Sequence, residues 1–249
     1  MGEDGGSKTF KHAFIERLFE FAIQVPFRIF LEGFFYGIQM DLSSFLVIDE
    51  KERIEMAKTQ KVKTMVGIGM FSSISYILML LNFPFPGFPG FLLVDFSDIP
   101  ALVAAVIFGP LAGVLVELIK NTIDYLATGA ATGVPVGQIA NLTAGVLFIL
   151  PSYYIYKRIS SKKGMVAGLI AGTVLMSLLM SVLNYYVFLP AYSIFLGADM
   201  MTSAQTKKLV VGSIFPFNLV KGALITIVFM LLFARLRTWL EKQAIYKNV

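Results

Sequence analysis

The stretch "LVVGSIFPFNLVKGALITIVFMLLFA", residues 209–234, is 26 residues long and carries one charge, Lys221. About 20 consecutive apolar residues are what a helix needs to cross the hydrocarbon core of a bilayer. The run therefore predicts a transmembrane helix, kinked at Pro216. A lone ammonium inside such a helix costs about 2.5–3.5 kcal/mol even on the lenient insertion scale. Asn218 stands three residues before it, on the same helical face. Both side chains are expected to face a protein interior that uses them.

The rest of the chain repeats this pattern. Of 249 residues, 57% are hydrophobic and only 15% are charged, with a mean hydropathy of +0.75. A soluble domain of this size would need more charge to cover its surface. The net charge is +5, but the Lys and Arg residues sit at the ends of apolar runs, which is the placement of membrane topology and not of nucleic-acid binding. Cysteine is absent and His12 is the single histidine. That composition removes disulfides, thiol nucleophiles and Cys/His metal sites. There is no Walker A loop and no HExxH, so neither ATP use through a P-loop nor zinc-protease chemistry is expected of this chain. No catalytic constellation, catalytic cofactor or metal site is predicted.

Residues 1–55 read differently. They are rich in Phe but interrupted by Glu16, Arg17, Glu20, Arg28 and Glu32, so no charge-free stretch is long enough to span. An interfacial amphipathic helix kinked at Pro26 is one reading, and an extension upstream of a natural start at Met56 is the one adopted. Residues 56–249 form the membrane domain. Six spans are expected: 64–82; a short helix from 99; a helix from the Gly109-Pro110 turn to about 128; 136–156; 165–190; and 209–234. "FPFPGFPGF" (83–91), with three prolines and two glycines, excludes a regular helix. Trp239 reads as an interface anchor.

Charge sets the predicted orientation. Lys58, Lys61, Lys63, Lys157, Arg158, Lys162, Lys163, Arg235, Arg237, Lys242 and Lys247 flank one side, and only Lys207 and Lys208 the other. The positive-inside rule then puts both termini in the cytoplasm and the Pro/Gly loop, with Asp95, outside.

Three polar sites fall within the spans: Asn218 with Lys221, Asn184 in "LNYYVFLP", and the Glu117, Lys120, Asn121, Asp124 group. The topology places Asn184 and Asn218 at one depth in the outer half, below Asp95. Phe91, Leu93, Phe96, Tyr185, Tyr186 and Phe188 would supply apolar walls. Two amides and an ammonium match a flat heterocycle with an imide-like edge, and a carboxylate suits hydroxyls. Against this, Asn218 would satisfy the backbone opened at Pro216, and Lys221 would pair with Glu117 or Asp124 as a structural ion pair. The Glu117–Asp124 group reads equally well as a structural network. Small residues at four-residue spacing, Gly109/Gly113, Gly168/Gly172 and Gly69/Ser73, predict close helix approach.

From about residue 61 to 240 the chain resembles the riboflavin-specific substrate-binding (S) components of energy-coupling factor (ECF) transporters. The resemblance rests on "LLVDFSDIPALVAAVIFGPLAG" (92–113), "LIKNTIDYL" (118–126), "VGQIANLTAG" (136–145), "LNYYVFLP" (183–190) and "IFPFNLVKG" (214–222). It implies an all-α membrane protein, a six-helix S-component bundle whose pocket opens outward and is capped by the loop after the first span. It implies that Asn184, Asn218 and Lys221 bind the isoalloxazine and that Asp95 lies near the ribityl chain beside Leu93 and Phe96. Gln138, Asn121 and Tyr185 complete the predicted substrate-binding set. Gly69, Ser72 and Ser73, with Gly67, occupy the region where the family docks its transmembrane scaffold subunit. The implied partners are that scaffold, two ATP-binding cassette ATPases, riboflavin and lipid, in a bacterial cell membrane. An S component for FMN or another vitamin, with Lys207 and Lys208 attracting a phosphate, and a non-transport scaffold protein remain as alternatives.

Overall fold

The computed structural model describes residues 50–130, 132–197, 199 and 201–244, with side chains from 59 to 235. The interfacial-helix reading of the first 49 residues and the Trp239 anchor lie outside what is described. Residues Lys58–Val249 form one compact unit.

Helix α1 (Glu50–Leu80) includes an apolar part, Thr59–Leu80, long enough to cross a membrane. Met56, the expected start, lies inside this helix. The proline-rich segment follows as an irregular loop, as its prolines and glycines require. A small hairpin brackets it: β1 (Phe83–Pro84) pairs antiparallel with β2 (Leu93–Val94), Phe83 opposite Val94 and Pro84 opposite Leu93. Helix α2 (Asp98–Phe108) is buried from Asp98 to Ile107.

The break expected at Gly109-Pro110 is present. Gly109 has φ +108, a conformation open to glycine, and Pro110 starts α3 (Pro110–Thr128) where no backbone donor is needed. A methyl group on Gly113 would meet Ala105 Cβ at 2.8 Å, so this glycine lets α3 fold back tightly on α2. Helix α4 (Val136–Ile159) turns at left-handed Ser160 into α5 (Lys162–Leu183). The Gly168/Gly172 spacing works as predicted. A Cβ on either residue would reach the α4 backbone, at Ser152 O and Phe148 O, within 2.6 Å.

The fifth apolar run does not stop at Pro190. It passes through a π-helical turn, π1 (Asn184–Phe188), into α6 (Leu189–Leu196), giving 35 continuous helical residues from Lys162 to Leu196. Pro190 falls in the first turn after the π turn, where its missing N–H is tolerated. The last run also starts earlier than its apolar limit. Helix α7 (Ser203–Leu209) opens with a reciprocal Thr202–Gln205 cap, passes through a second π turn, π2 (Val210–Ile214), and continues as α8 (Phe215–Ala244). The kink expected at Pro216 is thus a π turn just before it.

Among the described residues four helices are long and apolar enough to cross a membrane: Thr59–Leu80, Val136–Ile159, Lys162–Leu196 and Ser203–Arg235. Helix α2 is apolar but has 11 residues, and α3 carries Glu117, Lys120 and Asp124. The protein is therefore a mostly helical membrane protein.

Candidate functional site

The site begins at the corner where the hairpin loop enters α2. Asp95 follows β2 directly and is 3% exposed. One carboxylate oxygen, Oδ1, accepts hydrogen bonds from the Ser97 backbone N–H at 2.9 Å and from the Ser97 hydroxyl. The other, Oδ2, accepts from Lys221 Nζ at 3.0 Å. Lys221 also lies 4.0 Å from Asp98 Oδ2. Burial pushes the Asp95 carboxyl up. The charges of Lys221 and Lys120, with the Ser97 and Lys221 hydrogen bonds, outweigh it and hold the group below the usual carboxylate range.

A second ammonium lies on the other side of the same corner. Lys120 Nζ, on α3, donates to Ser97 Oγ and to Asp98 Oδ1, both at 2.6 Å. Glu117 Oε1 is 2.8 Å away, an ionic contact without hydrogen-bond alignment. From α1, the Ser75 hydroxyl donates to Ser97 O at 2.9 Å. Three carboxylates and two ammoniums thus share one buried cluster built from the loop and α2, α3 and α8. The alternative in which Lys221 pairs with Glu117 or Asp124 is overturned. Glu117 is engaged by Lys120, and Asp124 accepts from Gln138 Nε2 at 2.9 Å.

The two predicted asparagines lie beside π turns. Asn184 opens π1, is half-buried, and donates through Nδ2 to Met180 O at 2.8 Å on its own helix. Asn218 is buried and donates to Ile214 O at 3.0 Å, the last residue of π2. Among the described residues each amide makes this one hydrogen bond, through one N–H. The two π turns pack against each other. Single π turns are frequent at functional sites because they re-aim side chains.

Aromatic contacts tie the loop down. Phe88 packs edge-on against Phe217 of α8, ring centres 5.6 Å apart, and Phe83 lies 6.4 Å from Phe96. The loop is therefore clamped on α8 twice, by Phe88 and by Asp95. Of the predicted walls, Phe188 is buried and Tyr185 half-buried, whereas Phe91 at 61% and Tyr186 at 72% exposure turn outward. Leu93 is partly exposed.

Gln138 and Asn121 occupy a neighbouring polar seam between α3 and α4. Gln138 Nε2 also donates to Gly129 O at 3.1 Å, and Asn121 Nδ2 donates to Glu117 O at 2.8 Å. The side-chain oxygens of Asn121, Gln138 and Asn141 are buried without a hydrogen-bond partner among the described residues, and so can accept from a guest or water. Asn141 was not singled out in the sequence. Its spacing of three from Gln138 was the available signal. Ser97 and Ser75 were missed as well, because a serine in an apolar run carries no distinctive pattern.

The three residues expected on the docking face separate. Gly69 has open space where a Cβ would be, and Ser73 is exposed, its hydroxyl satisfied by Gly69 O at 3.0 Å. Ser72, 1% exposed, turns inward and bonds Ile68 O, so it cannot present itself on that face. Gly67 also faces inward, where a Cβ would strike the Phe108 ring.

Apolar helices of membrane-spanning length surround a buried ionic cluster, and the loop after the first helix is clamped on the last, which is the architecture of a helical membrane protein. The family model of the ECF transporter substrate-specific component matches residues 63–233. The chain is 51% identical over 183 residues to the riboflavin transporter FmnP of Bacillus subtilis (strain 168), covering 74% of this chain and 96% of that protein. It is 44% identical over 184 residues to the riboflavin transporter RibU of Staphylococcus aureus (strain TCH60), covering 74% and 95%. A solved structure described as the S component of a bacterial ECF transporter superposes with a TM-score of 0.62 at 41% identity, covering 72% of this chain and 98% of that one. The chain belongs to the substrate-specific components of ECF transporters. Members of this family are transporter subunits and not enzymes.

Proposed function

We propose that this chain captures riboflavin at the outer face of a bacterial cell membrane and delivers it inward with an ECF scaffold subunit and two ATP-binding cassette ATPases. In this reading the membrane domain is 56–249. Helices α1, α2, α3, α4, α5 with α6, and α7 with α8 make six crossings, with both termini cytoplasmic. The basic residues at the inner helix ends support that orientation.

The observation that carries the proposal is the Asp95–Lys221 contact at 3.0 Å, which joins the capping loop to the last helix beside Asn218. A planar guest with alternating N–H and C=O groups would meet the remaining donors and acceptors of Asn184, Asn218 and Lys221. Its polyhydroxyl chain would meet Asp95 with Leu93 and Phe96 nearby, and Gln138, Asn121 and Tyr185 complete the lining. The named riboflavin transporters at 51% and 44% identity support flavin as the cargo. Gly69 and Ser73, on the open face of α1, are the proposed contact to the scaffold. No nucleic acid or catalytic cofactor enters the scheme.

The test is to purify the chain in detergent and titrate it with riboflavin, following quenching of flavin fluorescence, and then with FMN. Saturable riboflavin binding at one flavin per chain is expected. Preference for FMN would reassign the cargo, and absence of any flavin binding would remove the proposal.

A further inference from the structure

We propose that Lys120 is a positioning residue for flavin capture, holding the Ser97–Asp98 corner so that Asp95 is aimed at Lys221. This rests on the riboflavin reading above. Lys120 is wholly buried on α3, and its ammonium has three oxygens around it: it donates to Ser97 Oγ and Asp98 Oδ1, both at 2.6 Å, and lies 2.8 Å from Glu117 Oε1. Two of these contacts are hydrogen bonds and the third is ionic, so the wholly buried ammonium is held within the cluster. Lys221 differs: its one hydrogen bond among the described residues goes to Asp95, so it keeps donors for a guest.

The chain of contacts runs in one direction. Lys120 fixes the Ser97 hydroxyl, and Ser75 fixes the Ser97 carbonyl. Ser97 in turn holds Asp95 Oδ1 through its N–H and its hydroxyl, leaving Oδ2 to Lys221. Lys120 therefore reaches the proposed flavin site through Ser97, on the short loop segment that caps it. Glu117 is kept against Lys120 by α4. Gly145 faces its carboxylate, and a methyl group there would collide with Glu117 Oε2. The glycine leaves the space in which the carboxylate sits and so sets the position of the ammonium beyond it.

A double-mutant cycle on the full chain in detergent separates this role from general support of the fold. Riboflavin affinity by fluorescence quenching and thermal unfolding without flavin are measured for wild type, Lys120→Met, Asp95→Asn and the double variant. Lys120→Met is expected to weaken riboflavin by about tenfold, within the range of coupling between contacting polar groups. In the Asp95→Asn background the same change is expected to cost less than about twofold, since the group it aims is already altered. Lys120→Arg should recover part of the loss. Wild-type affinity in Lys120→Met, with Asp95→Asn weakened, would overturn the positioning role and leave the flavin reading standing. Equal losses in both backgrounds would overturn it also, because Lys120 would then act independently of Asp95. Wild-type affinity in Asp95→Asn would remove Asp95 from the site and the inference with it. If Lys120→Met does not fold, Gly145→Ala moves Glu117 while keeping every charge. It should weaken riboflavin when Asp95 is present, and unchanged affinity overturns the proposal.

Discussion

Lys221 and Asp95 are 126 residues apart in the chain and meet at 3.0 Å, the last helix holding the loop that follows the first. The contact is buried on both sides, at 7% and 4% side-chain exposure. Neither charge is tolerable alone at that depth. The pair therefore closes the bundle at its loop end, and it places two groups of opposite hydrogen-bonding character side by side.

Removing the ammonium should show in binding. Lys221→Ala is expected to weaken riboflavin by about 1–3 kcal/mol, because it leaves buried acceptors without a donor. A fluorescence-quenching titration in detergent measures this directly, and an unchanged dissociation constant would take Lys221 out of the site.

The other ion contacts bear on stability. Asp98→Ala takes from the fully buried Lys120 the one carboxylate among the described residues to which it donates a hydrogen bond, at 2.6 Å. A loss of about 3–5 kcal/mol is expected, the usual consequence of breaking a buried pair by deleting one member. Unfolding of the detergent-solubilised protein, followed by circular dichroism, would report it. A loss below about 1 kcal/mol would mean that water reaches the cluster.

Two glycines of similar sequence context should behave oppositely. Gly172→Ala drives a methyl group against Phe148 O on α4 and should cost about 1–3 kcal/mol. Gly69→Ala meets nothing within 4 Å and gains helix propensity, so stability should hold or rise by up to about 1 kcal/mol. Paired melting curves of the two variants decide the matter.

Acid should act through Asp95. Its carboxyl titrates below the ordinary value of 3.8 in the folded protein, so the folded state binds fewer protons there than the unfolded one. The resulting stability is present above pH 3.8 and fades as pH falls through the lower folded value. Unfolding midpoints measured from neutral pH downward should therefore stay level in this respect until pH drops below about 4, and Asp95→Asn should flatten the acid decline.

Much of the architecture was legible because lipid solvation is a local constraint. The 209–234 run, the Gly109-Pro110 break and the Gly168/Gly172 seam all act within a turn or two of helix. Helix ends were less legible. Pro190 reads as a stop, yet π1 carries the helix six residues further, to Leu196. A π turn needs only one i→i+5 bond, which leaves no pattern in residue type. The inward face of Ser72 was equally hidden, since Gly69, Ser72 and Ser73 look alike as small residues and differ only in which neighbour covers them.

By itself the sequence determined that the chain enters a membrane, that the backbone breaks at Gly109-Pro110, and which few polar side chains would be out of place in lipid. These follow from composition and from neighbours within a few residues. The tertiary structure alone decided who meets whom. It gave Lys221 to Asp95, Lys120 to Asp98 and Glu117, and Gln138 to Asp124. A charge buried at low dielectric must find an opposite charge within a few ångströms, and several candidates satisfied that need on paper. The helix spacing set by Gly113, Gly145, Gly168 and Gly172 fixes which of them are near enough.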